Sequence, residues 1–233
     1  MLTHLSTWDK LAGVKLAFLP VGSLEQHGLH LPLGTDGIIA SALAKELASR
    51  FQPSYLLPPL HFSFSYEHSS FPGSVSLKVG TMAAVISDII DSLAKDGMRC
   101  IIVNCHMGNH LLRNIVQELN LPAPRVLLVP DRHHWENAYK TAGLSSTTSA
   151  DMHAGEGETS LLLHLAPETV LKDKIQDVDQ PARPLLEAVG IKQYTPTGAI
   201  GFPSRASSEK GKALLNALVN EIRVLIEEFR KIV

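Results

Sequence analysis

Lys15-Leu-Ala-Phe-Leu-Pro-Val-Gly22, running on through Ser23-Leu-Glu-Gln-His-Gly-Leu-His-Leu-Pro-Leu-Gly-Thr-Asp36, sets the reading of the chain. The first part is a short apolar run ending in glycine, the pattern of a buried strand that opens into a loop. The second part carries Glu25, His27 and Asp36, three side chains of metal-ligand type, within twelve positions. Residues two apart on an extended backbone point the same way, so Glu25 and His27 are expected to share a pocket while Gln26 points away. Asp36 returns to that pocket across the turns at Gly28 and Gly34. Thr35 or Asp36 also offers a cap for the next helix, whose apolar positions Ile38, Ile39, Leu43, Ala44 and Leu47 recur at helical spacing up to Phe51.

The order of strand, loop and helix repeats downstream. Residues 54–60 read as a second strand and residues 61–73 as a long loop rich in Ser, Phe and Tyr, of a kind that often carries function. Met82, Val85, Ile86, Ile89, Ile90 and Leu93 form an apolar stripe over a helix at residues 81–95, which Gly97 ends. Residues 99–104 are a buried strand with His106 directly after it, residues 111–119 a helix, and residues 125–129 another strand. After Pro130 a polar stretch through Ala150 reads as a loop or lid, with a short helix at residues 135–140. Residues 156–165 read as a helix, and residues 204–233 as a long amphipathic one with Leu214, Leu218, Ile222, Leu225 and Phe229 on one face. This alternation predicts an α/β fold with a mostly parallel sheet covered on both faces. No repeat or linker divides residues 1–233, which read as one domain.

Ligands of such sheets gather beyond the C-terminal ends of the strands, and the candidate residues obey that rule. His106 adds a nitrogen ligand, and Asp151-Met-His-Ala-Gly-Glu-Gly-Glu-Thr-Ser160 adds His153 and Glu158. The set Glu25, His27, Asp36, His106 and Glu158 suits zinc, manganese or iron. Glu156, two residues before Glu158, faces elsewhere on a helix and is assigned a surface or supporting role. Of eleven histidines, His4, His61 and His164 lack a ligand-type partner at a suggestive spacing and read as ordinary surface or core residues. His30, His110 and the His133-His134 pair are placed near the pocket mouth. Phe62, Phe64, Tyr66 and Phe71 either shape the entrance or pack in the core.

With 45% hydrophobic residues, 233 positions suffice for a full core. A net charge of −2, from 21 basic and 23 acidic residues, offers no field for nucleic acid, so a small-molecule substrate is expected. Two cysteines make no disulfide framework, and the sequence shows neither a signal segment nor an apolar run of membrane-spanning length. The expected compartment is the cytoplasm.

The motifs resemble those of the creatininase family of metal-dependent amidohydrolases. The resemblance is carried by residues 22–36, by Glu67-His-Ser-Ser-Phe-Pro-Gly73, by Asn104-Cys-His-Met-Gly-Asn109, by His153-Ala-Gly-Glu-Gly-Glu-Thr-Ser160, and by Gly198-Ala-Ile-Gly-Phe-Pro203 with Glu209-Lys-Gly211. It implies a three-layer αβα sandwich, a site for two divalent metal ions (Zn, Mn or Fe) and assembly into homo-hexamers. By position Glu25, His27, Asp36 and His106 match metal ligands, with Asp36 bridging. Glu158 matches the acidic residue of the closing motif and is assigned to both metal binding and catalysis. His153 is assigned to protonate the leaving nitrogen, and Glu67, His68 and Met107 to contact substrate. One departure stands out: Gly108 replaces the acidic residue that creatinine-hydrolysing members carry two positions after the matching histidine.

The family's reactions are C–N hydrolyses by a metal-activated water. Creatinine itself is disfavoured, because residues 142–152 hold no tryptophan to sandwich its ring. A formamide of the deformylase type ranks first, with Arg132, Arg205 or a helix N-terminus as candidates for a phosphate. Creatinine hydrolysis is the alternative, and a catalytically inactive ligand-binding member is the alternative of another class. A nucleotide-binding protein would want a glycine-rich phosphate loop after the first strand, where this chain carries ligands and prolines instead.

Overall fold

The computed structural model describes residues 1–121 and 123–232. Five strands, β1 (Leu2–Thr3), β2 (Leu16–Val21), β3 (Tyr55–Leu56), β4 (Arg99–Asn104) and β5 (Val126–Val129), form one parallel sheet in the order β1-β3-β2-β4-β5. The helices are α1 (Thr35–Arg50), α2 (Val79–Lys95), α3 (Leu111–Leu119), α4 (Arg132–Thr141), α5 (Glu156–Leu165), the single turn α6 (Leu186–Val189) and α7 (Ser208–Lys231).

Strand β2 is paired along both edges and buried throughout, and its alternate side chains serve two cores. Leu16 and Phe18, with Ile101 and Val103 of β4, face α1, α4, α5 and α7. Ala17, Leu19 and Val21, with Cys100 and Ile102, face α2 and α3, where Met82, Ile86, Ile90, Leu112 and Ile115 cover them. The two-residue side-chain period of a strand thus builds the three-layer αβα sandwich. No helix among the described residues is long and apolar enough to cross a membrane.

From β2 the chain passes through α1 to β3 on one side, then through α2 to β4 on the other. The crevice beyond the C-terminal ends of β2 and β4 is the switch point where α/β sheets bind ligands. Gly22 closes that end of β2 tightly: a Cβ there would stand 2.4 Å from the Gly37 nitrogen. Only glycine admits this approach, which brings Asp36 up against the loop that carries Glu25 and His27.

Several boundaries differ from the sequence reading. Of residues 54–60 only Tyr55 and Leu56 are strand. Pro58 and Pro59 have no N–H to donate, so the segment follows β2 through isolated bonds, Leu57 N to Phe18 O (2.9 Å), Leu60 N to Pro20 O (2.9 Å) and, just past β2, Gly22 N to Leu60 O (3.0 Å). The edge strand β1 is too short to carry a pattern. Helix α4 is longer than residues 135–140 because Asp131 and His134 form a reciprocal cap at its start. The C-terminal helix begins at Ser208, where the Ser207 hydroxyl accepts from Lys210 N, and its expected end at Val233 lies outside the described residues.

Candidate metal centre and its cavity

Glu25 and His27 leave the end of β2, Asp36 stands in the first turn of α1, and His106 follows β4. His153 and Glu158 come from the turn into α5, where Ala154 takes φ 52° and donates its N–H to Glu158 Oε2 at 2.5 Å. A left-handed alanine costs about 1 kcal/mol, and here it aims both side chains into one place. Glu25, His27, Asp36, His106 and His153 are all buried, and Glu158 is partly so.

The ligand atoms converge. His27 Nε2 is 3.1 Å from Asp36 Oδ1 and 3.9 Å from Glu158 Oε1. His106 Nδ1 is 3.3 Å from both Glu25 Oε1 and Asp36 Oδ2, and His153 Nδ1 is 3.9 Å from Glu25 Oε1. Asp36 therefore presents one oxygen to each histidine of two half-sites.

Each of these imidazoles spends its other nitrogen on a backbone carbonyl. His27 Nδ1–H donates to Glu25 O (3.1 Å), His106 Nε2–H to Phe64 O (2.8 Å) and His153 Nε2–H to Gln26 O (2.6 Å). A carbonyl can only accept, so the nitrogen turned to the cluster carries a lone pair in the neutral ring, as a metal ligand requires. His68 is different. The Gln26 amide is oriented by Gly28 N donating to its oxygen (2.9 Å) and by its nitrogen donating to Gly198 O (3.1 Å). That nitrogen also faces His68 Nδ1 at 2.9 Å, which must accept, leaving the proton on Nε2, 3.3 Å from Glu25 Oε1. His68 thus turns an N–H rather than a lone pair toward the centre, without completing a hydrogen bond to Glu25.

Both oxygens of Glu25 and Asp36 Oδ2 are buried with no hydrogen-bond partner among the described residues. Buried carboxylate oxygens without donors are expensive, and with three lone-pair nitrogens around them they fit a divalent cation. Three groups of described residues could hold an ion: Glu25, His27 and Asp36; His27, His153 and Glu158; and Glu25, His68 and His153, the last requiring His68 to give up the proton that Gln26 places on Nε2.

Without a cation, protons fill the role. Burial opposes charge on His27, but Asp36, with Glu158 and Glu25 behind it, raises its pKa to about 10. Burial raises Glu158 to about 7 against the pull of His27. Both groups bind protons more tightly folded than unfolded, so their stabilising contribution is whole below 6.5 and 4.5, respectively, and is lost as pH rises through about 10 and about 7. Buried His30 and His68, both held at about 4, act in the opposite sense below about 6.5, so chelator-treated protein is expected to show a falling urea midpoint only on the alkaline side, from about pH 8 to pH 10. Added zinc or manganese should restore it most at the alkaline end, where no proton competes. A midpoint that rises over this range in the chelated protein would contradict the assignment.

A small cavity of about 160 Å³ opens on the cluster and is walled by Glu67, His68, Met107, Gly108 and Leu186. It adjoins a larger one of about 570 Å³ that reaches Arg132, Trp135 and Arg183, with Cys105, Met107, His110, Met152, Glu158 and Leu186 common to both. Glu67, His68 and Met107, assigned to contact substrate, border the small cavity.

Several other residues depart from the sequence reading. Gln26 is no bystander, since it orients His68. His30 is buried behind the site with Nε2 2.9 Å from Thr159 Oγ1, and His134 caps α4. Among the histidines assigned to the mouth, His110 lines both cavities. Glu156 is fully buried, not on the surface, pairing with Lys210 Nζ at 2.5 Å and accepting from the Ser145 and Ser146 amides. Phe62, Phe64, Tyr66 and Phe71 are exposed or half-buried and line neither cavity, so they form neither core nor entrance. Arg205 stacks on Phe202 at 4.0 Å, away from both cavities. Asp151 went unassigned, yet its carboxylate accepts from Glu156 N (2.6 Å), Gly157 N (2.8 Å) and the Tyr139 hydroxyl (3.0 Å), fixing the start of α5. An aspartate shortly before a helix start was the available signal.

Residues 4–226 match the Creatininase family, described as creatinine amidohydrolase. The chain is 34% identical over 233 residues to the mycofactocin precursor peptide peptidase of Mycobacterium ulcerans, covering 93% of this chain and 84% of that protein. It is 26% identical over 223 residues to the 2-amino-5-formylamino-6-ribosylaminopyrimidin-4(3H)-one 5'-monophosphate deformylase of Methanococcus maripaludis, covering 91% and 90%. Among solved structures it is similar to the one described as "Creatininase Mn", with a TM-score of 0.84, 26% identity and coverage of 97% and 98%.

Proposed function

This chain belongs to the creatininase family of amidohydrolases, and we propose on that basis that it holds two divalent cations and cleaves the formamide or amide C–N bond of a substrate whose body fills the larger cavity. The observation that carries this reading is the cluster of partnerless carboxylate oxygens on Glu25 and Asp36, faced by lone pairs of His27, His106 and His153. Bound cations would supply Lewis acidity, making a water acidic and polarising the scissile carbonyl.

The protein's own groups account for positioning and proton transfer. Glu25, Asp36 and His106 would hold one cation, and His27, Asp36 and Glu158 the other, with Asp36 shared. His153 has its Nε2–H tied to Gln26 O and its Nδ1 free. Burial, with His27 and His68 nearby, holds its pKa well below the usual histidine value, so Nδ1 starts as a base. It would take a proton from the attacking water and pass it to the leaving nitrogen. The His68 Nε2–H is a ready donor to the developing oxyanion.

A cavity of about 570 Å³ beside the centre suits a substrate well beyond the size of creatinine. A formamide on a larger body fits it, and Arg132 and Arg183 stand in its lining for an anionic end. The similarity to a peptide peptidase favours a second reading, hydrolysis of an amide in a modified peptide. Protein reconstituted separately with zinc, manganese and ferrous iron is expected to release formate or amine from one of these two classes. No hydrolysis of formamidopyrimidine, modified-peptide or creatinine substrates with any metal would overturn the proposal.

A further inference from the structure

Glu67 lies in the single turn Tyr66–His68, with a side chain 17% exposed that borders the small cavity. No other described residue donates a hydrogen bond to its carboxylate. A Cβ on Gly108 would stand 2.2 Å from Glu67 Oε1, so a side chain at 108 and the Glu67 carboxylate compete for one space. With glycine at 108 that space is left to a carboxylate from another segment.

Glu67 does not join the ligands. Its oxygen approaches His106 from the Nε2 edge, at 3.8 Å, while Glu25 and Asp36 meet the Nδ1 edge. It belongs to none of the groups able to hold an ion among the described residues. Bound cations would offset Glu25, Asp36 and Glu158, leaving Glu67 as the one carboxylate of the cavity without a cation beside it. Met107, Met152 and Leu186 bring no charge, and among the described cavity residues the His110 imidazole, which has no ligand role, faces it.

The geometry points to Glu67 as a specificity residue that receives a protonated amine one carbon from the scissile carbonyl, an assignment that rests on the metal-dependent reading above. The Glu67 carboxylate is mostly buried and lacks a donor from another described residue, and an ammonium at hydrogen-bond distance would relieve that cost. Charge-assisted hydrogen bonds of this kind are the strong ones.

The test uses two chelating probes, glycine hydroxamate with an α-ammonium and acetohydroxamate without one, titrated by calorimetry into zinc-loaded protein and its Glu67→Gln variant. The ratio of their affinities is expected to fall about tenfold in the variant, with metal content and acetohydroxamate affinity retained. A ratio unchanged in the variant overturns the assignment. If acetohydroxamate fails to bind the parent at all, the metal-dependent reading falls and this assignment with it. Should Glu67→Gln lose metal, Glu67→Asp decides the matter, since a retained carboxylate should recover part of the preference and a merely structural one should not.

Discussion

Asp36→Ala is expected to empty the centre and lower hydrolysis by at least about a thousandfold. Asp36 Oδ1 faces His27 Nε2 and Oδ2 faces His106 Nδ1, so the substitution removes the group shared by both half-sites. Elemental analysis beside circular dichroism separates metal loss from unfolding. His68→Asn is the informative companion: because Gln26 leaves the His68 proton on Nε2, this variant should keep its metal and lose turnover. Metal retained in Asp36→Ala, or lost from His68→Asn, would refute the ligand assignment.

Asp151→Ala is expected to lower stability by about 4 kcal/mol, as the summed cost of several orphaned buried donors. The Glu156 and Gly157 amides and the Tyr139 hydroxyl would lose their acceptor where neighbouring backbone leaves little room for water. A Cβ on Gly155 would stand 1.8 Å from Asp151 Oδ1, which shows how closely the turn wraps this carboxylate. The same turn carries His153 and Glu158, so metal content should fall with stability. A urea midpoint within error of the parent would mean that water replaces the carboxylate and that α5 needs no such anchor.

The architecture was largely legible. Strands β2, β4 and β5 stand where apolar runs ended in Gly, Asn or Pro, and α1, α2, α3 and α5 where helical stripes ran. Helix period and strand period differ enough that long patterned segments declare themselves. Segments of a few residues carry no period, which is why β1 was unseen and β3 overestimated. At the centre, Glu25, His27, Asp36, His106, His153 and Glu158 could be listed because ligand chemistry belongs to residue type. Gln26 and Asp151 could not, because an amide or carboxylate that works by orienting a neighbour looks the same in sequence as one facing solvent. Of the two roles open to Glu156, surface or supporting, its burial excludes the first, and that burial could not be read because it depends on Lys210, contributed by α7 from 54 positions away.

What the sequence by itself determined is the alternation of elements, the family, and the kinds of atom available to a metal, since these depend on local pattern and residue chemistry. Only the tertiary structure decided which nitrogen of each histidine faces the cluster, that His68 turns an N–H inward where its neighbours turn lone pairs, and that Glu67 occupies the space above Gly108. Those outcomes are set by carbonyls and amides that long-range packing brings to each ring, and no short stretch of sequence encodes them.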